Sequence, residues 1–204
     1  MLDKNVDFFK KYREYKNLSF KSFYFKKAIF YGASMVGVDM AGANLEGANL
    51  EGADLRFANL RGANLKGAIL QHAILEGANL TGANLTDVNL EGVALGGVIF
   101  SSAILRGTLL PRANLRGAIL EGANLEGSDL EGAGLERANM VNANLKNANL
   151  SYANLEGADL TNAKMEGAKV KGAALRNATM PGQGSGYTPQ KVLWLIWINY
   201  VSTN

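Results

Sequence analysis

The chain has 204 residues, no cysteine and one histidine, and its 21 basic and 18 acidic side chains give a formal net charge of +3. The lack of cysteine excludes disulfides and cysteine-ligated metals, and His72 alone leaves little for a histidine metal site or a catalytic triad. We therefore expect a protein that is not an enzyme, with no catalytic residues, no metal site and no cofactor.

The charge is unevenly placed along the chain. Residues 1 to 27 carry eight basic and three acidic side chains, whereas residues 28 to 180 carry twelve basic and fifteen acidic ones. The N-terminal end is therefore basic and the body mildly acidic. We interpret the basic end as a solvated cap in preference to a site for an anionic partner or a membrane surface.

The first segment, residues 1 to 17, is charged and aromatic. It lacks the continuous apolar run of a secretory signal, which indicates a cytoplasmic protein. Residues 3 to 16 are predicted to form a short helix whose aromatic side chains cover the end of the structure that follows. These side chains are Phe8, Phe9, Tyr12 and Tyr15.

From residue 18 to residue 180 the sequence repeats every five residues without an insertion or a deletion. Every residue at a multiple of five, which we call the centre, is large and apolar. The residue two before it, the inner alanine position, is nearly always Ala, as at Ala43 and Ala48. A helix face recurs every 3.6 residues and a strand face every 2, so neither period fits. A repeat of this regularity indicates a solenoid.

Each repeat has one extended part and one turn. In the extended part, the centre and the inner alanine face inward and the residue between them, the outward position, faces away. The second residue after the centre, which we call the corner, is Gly in nineteen repeats and Asn in four, which predicts type II turns. We predict a different turn at the corners that hold Phe57, His72, Asp87, Ser102, Arg112, Arg137 and Tyr152.

Units such as Ala43-Asn44-Leu45-Glu46-Gly47 and Ala158-Asp159-Leu160-Thr161-Asn162 resemble the A(D/N)LXX unit of the pentapeptide repeat family, which is abundant in cyanobacteria. The resemblance implies an all-β fold, a right-handed quadrilateral β-helix of about eight coils, with short terminal caps that we expect to be helical. Charge patterns along the chain fit a spacing of 15 residues about as well as one of 20. The four-sided coil therefore follows from the resemblance alone.

The middle of the repeat is the least regular part. Val88, Val93 and Val98 replace the inner alanine, and we expect their extra volume to widen or bend the coil. The outward position becomes apolar at Ile69, Ile74, Ile99, Ile104, Leu109 and Ile119. These side chains either form a docking surface for a partner or stabilise the outer wall by cross-strand packing.

Other candidate sites lie at corners and at outward positions. Phe57, Arg112 and Tyr152 are residue types that anchor interfaces, with scattered tolerated substitutions as the alternative, and the same choice applies to His72. The outward Asp and Asn residues are interpreted as local hydrogen-bond acceptors near turns in preference to a metal-binding array. The first aromatic centres, Phe20 and Phe25, are expected to fill the first coil together with Phe23.

The last segment, residues 181 to 204, starts with a Gly-rich linker and ends in an apolar stretch. That stretch is too short to cross a bilayer, which needs about twenty residues. We expect it to cap the last coil, to form a homodimer contact or to touch a membrane, as a helix or an added strand. The residues proposed for this contact are Leu193, Trp194, Ile196, Trp197 and Tyr200.

Two functions remain open. The long regular run favours a rigid scaffold that binds a partner protein of unknown identity and no nucleic acid. The alternative comes from the branch of the pentapeptide repeat family that confers quinolone resistance by mimicking DNA and binding type II topoisomerases. That mimicry needs a strongly acidic rod, whereas the body of this chain is only mildly acidic.

Overall fold

The computed structural model describes residues 14 to 182, which consist of single β-bridges and turns. With one exception, each outward residue from Glu14 to Thr179 pairs in parallel with the residue twenty positions away, as Asn44 does with Asn64. No helix and no strand longer than one bridged residue occurs in this range. Four pentapeptides thus complete one coil, and about eight coils stack along the described chain.

The outward residues of successive coils line up in four columns, which we call faces and number around the coil. Face 1 carries the outward residues 14 to 174, taken every twenty residues, and face 2 carries residues 19 to 179. Face 3 carries residues 24 to 164 and face 4 residues 29 to 169. The twenty-residue spacing, which charge patterns alone left undecided, is therefore observed directly.

The corners from Asn17 to Asn177 adopt the same backbone conformation, with φ between 55° and 73°. The amide of Ala48 donates to the carbonyl of Leu45 at 2.9 Å, and Gly47 between them has φ +64°. A positive φ at the third residue alone is the sign pattern of a type II turn. The predicted difference at Phe57, His72, Asp87, Ser102, Arg112, Arg137 and Tyr152 is wrong, because all seven have φ between 56° and 61°. The ladders on both sides of each corner impose the turn whatever the side chain.

Three kinds of backbone hydrogen bond join neighbouring coils, and in one of them the amide of a corner donates to the next coil, as from Gly47 to the Lys66 carbonyl at 3.0 Å. The amide of a centre donates to the next coil, as from Leu45 to the Asn64 carbonyl at 2.7 Å. The amide of an outward residue donates to the preceding coil, as from Asn64 to the Ala43 carbonyl at 2.9 Å. Since each coil satisfies its neighbour's polar groups, the stack is stabilised along its whole axis.

The core is a continuous column of centres and inner alanines. Ala43 and Leu45 are fully buried, and the same holds for most of the pairs that follow. Burying a leucine side chain contributes about 1.5 to 3 kcal/mol relative to leaving it exposed. Because alanine is small, opposite walls of the coil approach closely enough for the leucines to fill the space between them.

Aromatic rings fill the first coil. Phe25 packs edge to face on Phe30 with ring centroids 5.3 Å apart, and Phe20 packs on Phe25 at 5.5 Å, as predicted. The prediction for Phe23 is wrong: its side chain is 55 % exposed and stacks on Phe25 from outside the core. A phenylalanine ring is too large for the inner alanine position that Phe23 occupies.

The backbone hydrogen bonds between neighbouring coils are interrupted at one place, between residues 67 to 72 and residues 87 to 92. We call this gap the seam. Ile69 and Asn89 are the one pair in the described series without a bridge. On the side of residues 67 to 72, the amides of Gly67, Leu70 and His72 donate to no carbonyl of the described chain. In the preceding coil, the matching amide of Leu50 donates to the Ile69 carbonyl at 2.8 Å. The seam is therefore a local loss of pairing between two coils. Beside it, the amides of Gly92, Ala94 and Asn114 also donate to no carbonyl of the described chain.

Two valines lie beside the seam. Val88 and Val93 occupy the buried inner positions twenty residues after Ala68 and Ala73. We infer that their added methyl groups hold the two coils apart. The next bond along the ladder is long, 3.2 Å from the Leu75 amide to the Ala94 carbonyl. The expectation that these valines widen or bend the coil stays a prediction. Val98 does not have this effect, because the Asn79 to Ile99 bridge beside it is intact.

The repeat geometry begins at Glu14, which bridges to Ser34, and Lys16 and Asn17 form the first turn. The predicted helix over residues 3 to 16 therefore does not include its last three residues. The remainder of the N-terminal cap lies outside the described residues, and so does the predicted contact of Leu193, Trp194, Ile196, Trp197 and Tyr200. In the described part of the chain, no helix has the length and apolar character needed to cross a membrane.

Candidate interaction surfaces

The six predicted apolar outward residues are spread over all four faces. Ile99 and Ile119 bridge directly on face 2, whereas Ile69 and Leu109 lie on face 4 with Asn89 between them. Ile74 lies on face 1 and Ile104 on face 3, and both are exposed. The structure therefore brings one adjacent pair together and does not form one apolar patch from the six.

The outward Asp and Asn side chains act on the local backbone. Each of those at outward positions from Asp39 to Asp159 accepts a hydrogen bond from the amide two residues later, as Asn44 Oδ1 does from Glu46 at 3.1 Å. This confirms their predicted role as acceptors near turns. Within residues 14 to 182 no cluster of three or more metal-ligand side chains occurs.

An apolar residue at an outward position cannot accept the hydrogen bond from the amide two residues later. At one such position no acceptor is needed. Leu109 is followed two residues later by Pro111, which has no backbone N–H and needs no acceptor. At Ile69 the corresponding amide belongs to Gln71, whose side-chain oxygen is also buried without a hydrogen-bond partner among the described residues. The apolar substitution thus has a local explanation at Leu109 and leaves unpaired groups beside the seam.

The predicted aromatic corners lie over glycines of the next coil. A Cβ added to Gly77 would lie 2.7 Å from Cδ1 of Phe57, and one added to Gly172 would lie 2.6 Å from Cδ1 of Tyr152. Both rings remain more than half exposed. An aromatic ring that covers a glycine on the neighbouring strand is a known way to stabilise a sheet. This packing gives Phe57 and Tyr152 a structural role in the stack.

The remaining predicted corner residues differ from one another. Cγ of Arg112 would lie 3.5 Å from a Cβ on Gly132, which is ordinary contact. His72 covers nothing, since no atom lies within 4 Å of a Cβ placed on Gly92. His72, Arg112 and Tyr152 share one column at alternate coils, so glycine corners separate them and they do not form one cluster.

We expect Gly77→Ala to destabilise the protein more than Gly82→Ala. Both glycines have φ +66°, so each substitution carries the strain of about 1 to 2 kcal/mol that a Cβ suffers in this conformation. Gly82 has open space around it, whereas a Cβ on Gly77 meets the ring of Phe57. Urea unfolding of both variants measures the difference.

The control for this comparison is Phe57→Ala combined with Gly77→Ala. Removing the ring removes the clash, so the second substitution is expected to cost no more in the Phe57→Ala background than Gly82→Ala costs alone. An equal loss of stability from Gly77→Ala with and without Phe57 would contradict the packing described above.

Two polar grooves run across corners of the described chain. The first, of about 400 Å³, is lined by Thr86, Asp87, Arg106, Gly107, Glu126, Gly127 and Asn147. The second, of about 500 Å³, is lined by Arg116, Glu136, Arg137, Asn154, Glu156, Gly157 and Asn177. We call the second the arginine groove. The prediction from sequence did not include its residues.

The arginines of the two grooves differ in their partners. Arg106 in the first groove forms an ion pair with Glu126 at 3.8 Å. In the arginine groove, neither Arg116 nor Arg137 forms an ion pair with a described residue. A sequence signal was present, because residue 134 is the one glycine among the described outward positions and lies beside this groove.

Two surface carboxylates, Asp54 and Glu156 of the arginine groove, are paired with arginines. The Arg56 side chain donates to Asp54 at 2.6 Å and lowers the pKa of that carboxyl. A hydrogen bond from Arg176 to Glu156 at 2.6 Å lowers the pKa of Glu156. Such exposed pairs add little stability, but they decide which charges remain available to a partner.

Comparisons with known proteins cover most of the chain. A family model described as "Pentapeptide repeats" matches in eight copies, over residues 20–56, 33–71, 67–101, 95–132 and 138–177. No curated protein matches the chain.

Among solved structures, the chain is similar to HetL from the cyanobacterium Nostoc sp. strain PCC 7120, a pentapeptide repeat protein involved in regulation of heterocyst differentiation. The identity is 28 %, the coverage 92 % of this chain and 99 % of HetL, and the TM-score 0.37. A trypsin-treated form of QnrB1, a plasmid-mediated fluoroquinolone resistance protein, is 18 % identical, with coverage of 90 % and 96 % and a TM-score of 0.45. Rfr23 from the cyanobacterium Cyanothece 51142 is 21 % identical, with coverage of 88 % and 99 % and a TM-score of 0.22.

Proposed function

Because the chain belongs to the pentapeptide repeat family and has that family's right-handed β-helix, we propose that it is a non-enzymatic scaffold that binds a partner protein. The observation that carries this proposal is the fixed register of its surface. Side chains twenty residues apart are direct neighbours, as in the ion pair of Lys26 with Glu46 at 3.0 Å. A partner therefore meets a preformed surface, which lowers the entropy cost of binding.

Photo-crosslinking in cells that express the protein tests this function. Phe57 and Tyr152 are exposed aromatic residues, so each accepts p-benzoylphenylalanine with little change in shape. We expect discrete crosslinked adducts of defined mass from sites near the partner and none from sites on other faces. A scan of all four faces that gives no discrete adduct would contradict the scaffold function.

The alternative function is inhibition or protection of a type II topoisomerase through DNA mimicry. The charge of the described rod argues against it, because residues 14 to 182 contain sixteen basic and sixteen acidic side chains. A DNA mimic relies on a continuous negative surface to replace the phosphates. Titration of the protein into a gyrase supercoiling reaction tests this alternative. If micromolar protein does not inhibit supercoiling, the alternative is removed.

We also propose that the apolar stretch at residues 192 to 201 covers the C-terminal end of the rod. Leu175 and Met180 occupy centre positions there but are only partly buried, unlike Leu155 in the preceding coil. The stretch comes from the same chain or from a second copy. Light scattering of the full chain and of a truncation at Pro181 distinguishes the two, because a dimer that becomes monomeric assigns the stretch to a homodimer contact.

A further inference from the structure

Opposite charges that are twenty residues apart pair across coils at several places on the rod. Each of these side chains occupies the first position after a centre, which we call the flank. Lys26 pairs with Glu46 at 3.0 Å, Arg106 with Glu126 at 3.8 Å and Arg176 with Glu156 at 2.6 Å. Arg116 and Glu136 have the same spacing and the same positions, and yet they form no ion pair.

Gly134 explains why that pair does not form. A Cβ at this outward position would lie 3.0 Å from Oε2 of Glu136, so the carboxylate occupies space that a side chain would take. The other oxygen, Oε1, accepts a hydrogen bond from Nδ2 of Asn154 at 2.8 Å. Glu136 is therefore drawn over the glycine and engaged by Asn154, which leaves Arg116 without its expected partner.

The second carboxylate of the arginine groove is also engaged. Glu156 accepts a hydrogen bond from Arg176 at 2.6 Å, and this bond lowers the pKa of Glu156. Arg137 follows Glu136 directly, and its Cγ lies over the corner glycine Gly157. Arg116 and Arg137 are both exposed and line one groove, and neither forms an ion pair with a carboxylate among residues 14 to 182. Arg137 is still close enough to Glu156 for its charge to help lower the pKa of that carboxyl.

We propose that the arginine groove binds carboxylate side chains of an acidic segment in the partner protein. Arg116 and Arg137 would each donate charge-assisted hydrogen bonds, with a planar geometry that suits a carboxylate. This proposal rests on the proposed scaffold function and identifies the surface and the chemistry of its partner.

A protein segment fits this groove better than a nucleic acid does. Glu136 and Glu156 remain in the groove and would repel a continuous phosphate backbone. Separate glutamate or aspartate side chains can reach the two arginines and avoid both carboxylates. Asn177 adds an amide group that can form hydrogen bonds with a peptide backbone.

Fluorescence anisotropy with fluorescein-labelled hexaglutamate tests the proposal on the full chain at low salt. We expect the double variant R116Q/R137Q to bind this probe about tenfold more weakly than the unmodified protein, because two charge-assisted contacts are lost. R61Q/K66Q is the matched control, since it removes two exposed unpaired charges elsewhere on the rod. The control is expected to retain affinity within about twofold.

A second variant tests whether Gly134 is the reason that Arg116 lacks an ion pair with Glu136, and it leaves both arginines in place. Gly134→Ala is expected to displace the Glu136 carboxylate toward Arg116 and to weaken probe binding severalfold. The coil should tolerate this change, because Ala94 and Ala174 occupy the same position on face 1. Adding Glu136→Gln to Gly134→Ala should restore binding, and thermal melts of all variants verify their folding.

Several results would overturn the proposal. These are no binding of the probe by the unmodified protein, an equal loss in R61Q/K66Q, or no effect of Gly134→Ala. Displacement of the probe by a short DNA duplex of equal affinity would assign the groove to nucleic acid instead. None of these results affects the crosslinking test, so failure here is distinguishable from failure of the scaffold function.

Discussion

Replacing Leu120 by alanine is expected to lower the free energy of unfolding by about 2 to 5 kcal/mol, as measured by urea denaturation. Leu120 is a centre in the interior of the stack and is 1 % exposed. The cavity left by its side chain has ordered coils on both sides, so the structure can collapse around it only in part. Loss of one internal contact also weakens the interface between neighbouring coils, on which a solenoid depends.

Leu175→Ala is the control for this substitution. Leu175 is also a centre, but it lies in the last coil and is only partly buried. In a chain truncated at Pro181, which lacks the proposed cover, we expect its loss to cost less than about 1 kcal/mol, because little buried area disappears. Equal effects of Leu120→Ala and Leu175→Ala in that truncation would contradict this prediction.

Replacing both Val88 and Val93 by alanine is expected to close the seam. The two coils could then approach to the usual distance, and the amides of Leu70 and His72 would regain carbonyl partners on the next coil. We expect amide hydrogen exchange at these two positions to slow by about a hundredfold or more, as ladder hydrogen bonds replace solvent contacts. Exchange followed by NMR resolves the individual amides.

Val98→Ala is the matched control for the seam. It removes the same two methyl groups from the same kind of position, but the ladder beside it is already complete, with 2.7 Å from the Leu80 amide to the Ile99 carbonyl. It should leave exchange at Leu70 and His72 unchanged. A similar slowing in both variants, or fast exchange that persists after Val88 and Val93 are replaced, would refute the role of the valines.

Much of the fold could be predicted from the sequence because one unit recurs in fixed register. Leu45 and Ala43 face inward in every coil for the same reason, so one correct assignment extends to thirty-three repeats. The corners could not be predicted in the same way. Phe57 has an intrinsic preference against positive φ, but the ladders on both sides of the corner override it.

The seam and the arginine groove show the limit of reasoning from single positions. Val88, Val93 and Val98 look equivalent in the sequence, and only the structure shows that pairing between coils is lost beside the first two and kept beside the third. Arg116 looks like any other flank residue that has an acidic residue twenty positions later. Arg116 has no ion-pair partner because Gly134 leaves room for the Glu136 carboxylate and Asn154 donates a hydrogen bond to it. Neither effect can be read from the flank positions alone.

Disulfide formation between engineered cysteines tests the twenty-residue coil most directly, since the chain has no cysteine of its own. Arg61 and Thr81 are flank residues twenty positions apart, so their Cα atoms should lie about 4.8 Å apart, within the range that a disulfide spans. Arg61 and Glu76 are fifteen apart and lie at different corners. We predict complete oxidation of the R61C/T81C variant and none of R61C/E76C, and the reverse result would contradict the twenty-residue coil.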